Sequence, residues 1–108
     1  FVASQLHVIK MKFKIIPTKQ FLEQAKSLDV KTKRILNNKI DLLKKNPYRF
    51  KKLHGFNLKL FEIKLNIEHA PARLIYTVIE PNVILICFLH RKNDFKDLDK
   101  YVKQFERN

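Results

Sequence analysis

The stretch from residue 58 to residue 95 reads LKLFEIKLNIEHAPARLIYTVIEPNVILICFLHRKNDF and contains three strand-like runs. In the first run, from Phe61 to Glu68, apolar and polar residues alternate with the period of a half-buried β-strand. The second run, Ala72 to Ile79, is rich in β-branched and aromatic residues. The third run, Val83 to Leu89, is apolar throughout, which predicts a strand buried on both faces inside a sheet. Together the runs predict a small antiparallel sheet.

Each run also brings a cation to a strand end or to its polar face. Lys64 lies on the polar side of the first run, Arg73 near the start of the second, and Arg91 directly after the third. We expect the sheet to bring these three side chains together. The alternative for Lys64 is a simple ion pair with Glu62 or Glu68 along its own strand.

Upstream of this stretch, the pattern predicts one strand and two helices. Apolar residues alternate with lysines in a strand from about residue 8 to residue 16. Thr18 and Asp29 are suitable N-caps for two amphipathic helices, and Pro47 stops the second of them. A last amphipathic helix is predicted from Asp94.

These elements predict an α+β domain with the order β-α-α-β-β-β-α. In it, a helical hairpin packs on a small, twisted, mostly antiparallel four-stranded sheet. Residues 1–10 are interpreted as an N-terminal extension or a remnant of cloning that could prolong the first strand. Residues 11–108 are interpreted as one domain, because a chain of this size supports a single core.

The charge of the chain indicates a polyanionic partner. Its 108 residues include 23 Lys and Arg against 10 Asp and Glu, a formal net charge of +13. Uncompensated positive charge of this size opposes compaction and is typical of proteins that bind nucleic acid or the ribosome. An acidic protein is the second class of polyanionic partner that this charge would attract. The alternative is a lysine-rich surface that is merely solvated.

Several other classes of site are excluded by the sequence. The four histidines and Cys87 lack metal-ligand spacing, so we expect no metal, and a single glycine excludes a phosphate-binding loop. We expect no cofactor. No apolar stretch approaches the roughly 20 residues of a membrane span, and no signal peptide is present at the N-terminus, which predicts a cytoplasmic protein that does not bind membranes.

A cluster of cations can act on a phosphodiester. Cleavage of RNA requires in-line attack by the 2′-hydroxyl, stabilisation of charge in the transition state, and protonation of the leaving 5′-oxygen. Guanidinium groups bind phosphate through two hydrogen bonds and keep their charge. A lysine acts as a base only when burial and neighbouring positive charge bring its pKa toward neutrality.

Four short motifs occur in order along the second half of the chain. They are Lys52-Leu-His-Gly55, Leu60-Phe-Glu-Ile-Lys-Leu65, Arg73-Leu-Ile-Tyr-Thr-Val78 and Leu89-His-Arg91. In this order and spacing they resemble the RelE/ParE toxin superfamily, and most of all its RelE branch, from Met11 to the C-terminus. The resemblance implies a RelE-like domain and a toxin of a type II toxin–antitoxin system: an endoribonuclease, or mRNA interferase, that cleaves mRNA in the ribosomal A site without a metal.

The resemblance also implies roles for individual residues. Lys64 matches the catalytic lysine that serves as general base, Arg73 an arginine that steadies the scissile phosphate, and Arg91 an arginine assigned to protonation of the leaving group. Because a guanidinium hardly releases its proton, charge stabilisation is the better description for Arg91. The residues expected to bind RNA are Lys52, His54, Lys59, Lys92 and Phe95.

Two positions depart from the RelE pattern. Glu62 replaces a second active-site lysine, and Phe95 stands where the family usually has a tyrosine that stacks on a base. Phenylalanine still stacks on a base but lacks the hydroxyl.

The resemblance further implies partners and leaves two other functions open. An acidic RelB-like antitoxin would wrap the domain in a higher hetero-oligomer, and the ribosome and mRNA would be the targets. One alternative is a ParE-like toxin that poisons DNA gyrase without nuclease activity. The other is an inactive basic relative that binds RNA or the ribosome.

Overall fold

The computed structural model describes residues 13–90 and 94–107 of the chain. The helices are α1 (Lys19–Ala25), α2 (Val30–Lys45) and α3 (Asp94–Arg107), with a short 3-10 helix at Pro47–Arg49. The strands are β1 (Lys14–Pro17), β2 (Lys51–Leu53), β3 (Leu60–Ile67), β4 (Ala70–Ile79) and β5 (Asn82–His90). None of the described helices combines the length and apolar character that a membrane span requires.

Local sequence sets the bounds of the first two helices. The Thr18 side chain accepts a hydrogen bond from the Phe21 backbone N–H, and the Asp29 side chain accepts one from the Thr32 N–H at 2.7 Å. Each cap satisfies an amide that the first helical turn leaves without a partner. Asn46, an extended residue before Pro47, ends α2 as predicted.

The five strands form one sheet in the order β1-β5-β4-β3-β2. β1 pairs with β5 in parallel, and the other neighbours are antiparallel. The predicted α+β class and mostly antiparallel sheet are therefore confirmed, but the count of four strands is wrong. The additional strand, β2 (Lys51–Leu53), lies between the second predicted helix and the first strand-like run, where no strand was predicted. It is only three residues long, too short for a periodic pattern to reveal it.

The hairpin of β3 and β4 fixes the geometry of the candidate site. Its two turn residues, Glu68 and His69, have φ angles of 52° and 65°. Positive φ at both central residues is the backbone of the two-residue turns that match strand twist. The resulting register places Lys64 opposite Arg73 and Glu62 opposite Ile75.

The sheet has a hydrophobic cluster on each face. Leu36 and Leu43 of α2 pack with Phe61 and Leu74 on one face, which we call the hairpin face. On the other face, called the α3 face, Leu98 and Val102 pack with residues that include Leu60, Ile75 and Cys87. A β-bulge in β5 places both Ile86 and Cys87 in the α3-face cluster.

Beyond the end of β1, side chains at the start of α1 and within it pair with backbone groups of β5. β1 ends at Pro17, and beyond it the Thr18 hydroxyl donates to the Ile86 carbonyl at 2.8 Å. The Gln24 side chain then donates to the Phe88 carbonyl at 3.0 Å and accepts from the Phe88 N–H at 2.7 Å. Side chains of the first helix thus satisfy the backbone groups that a longer β1 would have paired.

Candidate functional site

Two of the predicted site residues are direct neighbours across the β3–β4 hairpin. Lys64 and Arg73 are cross-strand partners, and side chains of directly opposite residues lie on the same face about 5 Å apart at Cβ. Lys64 alternates along β3 with residues of the hairpin-face cluster, so both cations belong to the α3 face. The predicted convergence is therefore observed for this pair.

A carboxylate lies within the same group. Glu62 is two residues before Lys64 on β3, and its Oε1 is 3.8 Å from Nη1 of Arg73. The Glu62 side chain is 3% exposed, whereas that of Arg73 is 33% exposed. A separation of 3.8 Å exceeds hydrogen-bond length, so the two groups attract each other by charge without a close hydrogen bond. Arg73 is thereby held beside a buried negative charge.

The burial of Glu62 corrects one prediction. The alternation along β3 predicted that Glu62 lies on a solvent-facing polar side, but Glu62 and Leu60, which share that face, are both buried. Leu53, Phe56 and Leu58 pack against the cluster on this face. They come from β2 and the loop after it, a part of the chain that strand periodicity does not describe.

Lys64, two residues after Glu62 on β3, is exposed to solvent. Among the described residues, Lys64 forms no ion pair with either Glu62 or Glu68, and the carboxylate of Glu62 meets Arg73 instead. The alternative of a simple pair along the strand is therefore not observed. The ammonium group of Lys64 faces solvent next to the half-buried guanidinium, which leaves it accessible to an anionic ligand.

The register of β2 separates two adjacent lysines. Lys51 is the cross-strand partner of Glu62, and Lys52 is the partner of Phe61. Lys51 therefore lies on the α3 face with Lys64, whereas Lys52 lies on the hairpin face. Lys52 is the lysine that the sequence analysis expects to bind RNA. Its position on the hairpin face could not be predicted, because the orientation of a three-residue strand follows from its pairing and not from its own pattern.

Two solved structures are similar to this chain over most of its length. A double arginine-to-alanine mutant of the E. coli toxin RelE in the free state is 21% identical, with a TM-score of 0.69 over 86% of this chain and 97% of that chain. The isolated E. coli RelE toxin is 21% identical, with a TM-score of 0.62 over 83% of this chain and 98% of that chain. This chain has the RelE fold. No family model matches the sequence, and no curated protein matches it.

The structure describes the remaining predicted residues to different extents. His54 and Lys59 are exposed in the segment between β2 and β3. The backbone carbonyl of Lys59 accepts a hydrogen bond from the Thr77 hydroxyl at 2.8 Å, which anchors the start of β3. Arg91 and Lys92 lie outside the described residues. Phe95 is in the first turn of α3, and its side chain also lies outside the described part of the chain.

No group of three or more metal-ligating side chains occurs within residues 13–90 and 94–107. The chemistry that the described RelE-fold site offers is that of two adjacent cations, one half-buried and one exposed, beside a buried carboxylate. Such a site offers positive charge to a phosphate group, and preorganised cations at the edge of an apolar surface stabilise negative charge more than cations in bulk water do.

Proposed function

We propose that this protein is a toxin of a type II toxin–antitoxin system that cleaves mRNA in the ribosomal A site. The observation that carries the proposal is the placement of Lys64 directly opposite Arg73 on the RelE fold. A net charge of +13 supports a polyanionic target. Cleavage would inhibit translation, and the alternatives of gyrase poisoning and inactive RNA binding become outcomes of the test below.

In the proposed reaction, the 2′-oxygen attacks phosphorus and the bond to the 5′-oxygen breaks. The amine of Lys64 takes the 2′-hydroxyl proton and returns it to solvent, while the leaving 5′-oxygen takes a proton from water. The products are a 2′,3′-cyclic phosphate and a 5′-hydroxyl. Arg73 and Arg91 would stabilise the extra negative charge on the phosphorus oxygens in the transition state.

The flanking cations would hold the RNA on both sides of the scissile bond. Lys51, exposed on the same face as Lys64, joins the proposed contacts with His54 and Lys59. Lys52 would reach the RNA only around the edge of β2, because it lies on the other face. Lys92 would add phosphate contacts and Phe95 would stack on a base.

The proposed partner that restrains this activity is an acidic, RelB-like antitoxin. A protein that covers Lys64 and Arg73 would block RNA, and opposite charge on the two proteins would accelerate their association. We propose that the complex is a higher hetero-oligomer in the cytoplasm. Co-expression with a short acidic protein encoded beside this chain should then restore growth.

The cleanest test is Lys64→Ala, since Lys64 is exposed and forms no ion pair among the described residues. Purified ribosomes carrying a defined mRNA are mixed with the protein, and cleavage in the A site is measured by primer extension. We expect the cleavage rate to fall by about 10²- to 10⁴-fold, as for loss of a general base.

The matched control is Lys100→Ala, an exposed lysine of α3 that carries the same charge. It should cleave like the wild type. Arg73→Ala is a poorer variant, because it leaves buried Glu62 without its cation; Arg73→Gln combined with Glu62→Gln removes both charges together. Full cleavage by folded Lys64→Ala would overturn the proposed role of the lysine. Trapped gyrase–DNA complexes without mRNA cleavage, or harmless expression of the wild type, would overturn the proposed function.

A further inference from the structure

The register of the sheet places a third cation beside the Lys64–Arg73 pair. Lys51 of β2 is the cross-strand partner of Glu62, which precedes Lys64 by two residues on β3. Residues that lie opposite each other, or two apart on one strand, share a face of the sheet. Lys51 therefore belongs to the α3 face, and it is exposed there.

The carboxylate opposite Lys51 does not neutralise it. The Glu62 side chain is 3% exposed and lies 3.8 Å from Arg73. Within residues 13–90 and 94–107, no ion pair joins Glu62 to Lys51. An ammonium that turned inward to meet a buried carboxylate would lose its hydration. The charge of Lys51 is thus left in solvent, where an anionic ligand can reach it.

Apolar packing restricts how an RNA strand can cross the sheet at the pair. The residue opposite Arg73 on β5 is Leu89, which is buried in the same cluster as Leu98 of α3. A phosphate placed there would lose its hydration without gaining a cation. On the other side of the pair, β2 is the last strand of the sheet. An RNA strand that crosses the sheet at the pair therefore leaves the domain over β2, on which Lys51 lies.

The spacing of the cations suits neighbouring phosphates. Lys51 and Lys64 lie on adjacent strands and are two residues apart in register, so their Cα atoms are separated by about 8 Å. A phosphate held between Lys64 and Arg73 is not level with Lys51, because Glu62 is the residue opposite Lys51. The phosphate within reach of Lys51 is then a neighbour of the one that is cleaved.

Lysines on an edge strand also have a simpler explanation. They discourage a sheet edge from pairing with another chain, and β2 carries two of them, Lys51 and Lys52. That role does not depend on the face to which each lysine belongs. A contact with RNA at the pair requires the α3 face, so of these two residues Lys51 is the one placed to make it.

We propose that Lys51 binds the phosphate next to the scissile phosphate and so positions the RNA strand between Lys64 and Arg73. This inference rests on the proposed function and makes a charged neighbouring phosphate, bound on the β2 side, part of the substrate. Lys51 binds the substrate and takes no part in proton transfer. Its removal lowers the rate because the scissile bond is held less firmly at the pair.

The test compares mRNAs in which one phosphate has lost its charge. Either phosphate next to the scissile one is replaced by an uncharged methylphosphonate. The nucleotide before that linkage carries a 2′-O-methyl group, in this mRNA and in its charged reference, so that its own 2′-oxygen cannot attack. Ribosomes carrying each end-labelled mRNA are mixed with an excess of protein, and the single-turnover rate of cleavage is measured on a gel.

We expect the wild type to cleave about threefold to tenfold more slowly when one of the two neighbouring phosphates is neutral, as for loss of one charged contact. Lys51→Ala should cleave the charged mRNA more slowly by a similar factor, and the neutral linkage should slow it no further. Lys52→Ala removes the same charge from the other face of β2, and Lys100→Ala removes it from α3. Both should keep the full sensitivity to the neutral linkage, and circular dichroism verifies the folding of each variant.

The inference can fail separately from the proposed function. It is overturned if the neutral linkage slows Lys51→Ala as much as the wild type, or if the wild type is insensitive to both neutral linkages. Loss of the sensitivity in Lys52→Ala instead would assign the contact to that lysine and overturn it as well. In each of these cases the charged mRNA is still cleaved, so the proposed function stands. If the wild type cleaves none of the mRNAs, the proposed function fails and the inference fails with it.

Discussion

At the scale of single residues, Tyr76 joins the sheet to the 3-10 helix. Its side chain is fully buried, and its hydroxyl donates to the Pro47 carbonyl at 2.6 Å. Tyr76→Phe leaves that buried carbonyl without a partner, so we expect the free energy of unfolding to fall by about 1–3 kcal/mol, measured by urea denaturation at pH 7. The hydrogen bond from Tyr48 to Glu80 is exposed, so Tyr48→Phe should lower the free energy of unfolding by less than Tyr76→Phe does.

The same residue predicts a pH dependence. Burial raises the pKa of Tyr76 above its ordinary value. Its contribution to stability is therefore complete below pH 10 and is lost at higher pH, where the unfolded chain ionises first. The difference in free energy of unfolding between the wild type and Tyr76→Phe should therefore become smaller above pH 10. A difference that widens there would contradict the assignment.

Residue by residue, the sequence predicted Lys64 and Arg73 as neighbours because each occupies a fixed place in a regular strand. It did not predict that Glu62 is buried beside Arg73, since period-2 alternation separates the two faces of a strand without indicating what covers each one. The placement of Lys51 and Lys52 on opposite faces of the sheet was not predictable for a related reason, because a strand of three residues takes its orientation from its partner.

At the scale of elements, the cap of α2 is the clearest local signal that the structure confirms. Hydrogen bonds from Thr32, first through its side chain and then through its backbone N–H, are the main causes that lower the pKa of Asp29. Because the pKa of Asp29 is lower in the folded protein than in the unfolded chain, the carboxylate stabilises the fold at any pH above the ordinary pKa of aspartate. This stabilisation is lost as the pH falls through the pKa that Asp29 has in the folded protein.

We therefore expect Asp29→Ala to lower the melting temperature at pH 7, and the deficit to shrink toward pH 3 as the wild-type cap is protonated. Thermal melts from pH 7 to pH 3 measure both effects. Asp29→Asn keeps an accepting oxygen and should retain most of the stability at every pH. A deficit of Asp29→Ala that persists unchanged at pH 3 would show that the carboxylate charge is not involved.

Other elements were predictable in kind but not in extent. The helices begin and stop at Thr18, Asp29 and Pro47 because capping and proline rules act within a few residues. β2 and the bulge at Ile86 depend on pairing between distant strands, and nothing in their own sequence specifies them.

At the scale of the whole molecule, charge opposes folding. Four ion pairs occur among the described residues, and three of them are exposed pairs within helices that contribute little. Repulsion within a chain of net charge +13 is therefore largely uncompensated.

Raising sodium chloride from 50 to 500 mM should consequently raise the melting temperature at pH 7, because salt screens the repulsion. A variant in which the exposed residues Lys31, Arg34 and Lys45 are all replaced by Gln, with three fewer charges, should start at a higher melting temperature and gain less from salt. A melting temperature that falls with salt would mean that attractive pairs dominate instead.

The turn at Glu68 and His69 also bears on the order of folding. It brings together Lys64 and Arg73, which are only nine positions apart, whereas the parallel pairing of β1 with β5 joins residues 68 apart. Local contacts cost the least loop-closure entropy and form fastest. Contacts within the β3–β4 hairpin, including the cation pair, are therefore expected to form before the pairing of β1 with β5 completes the sheet.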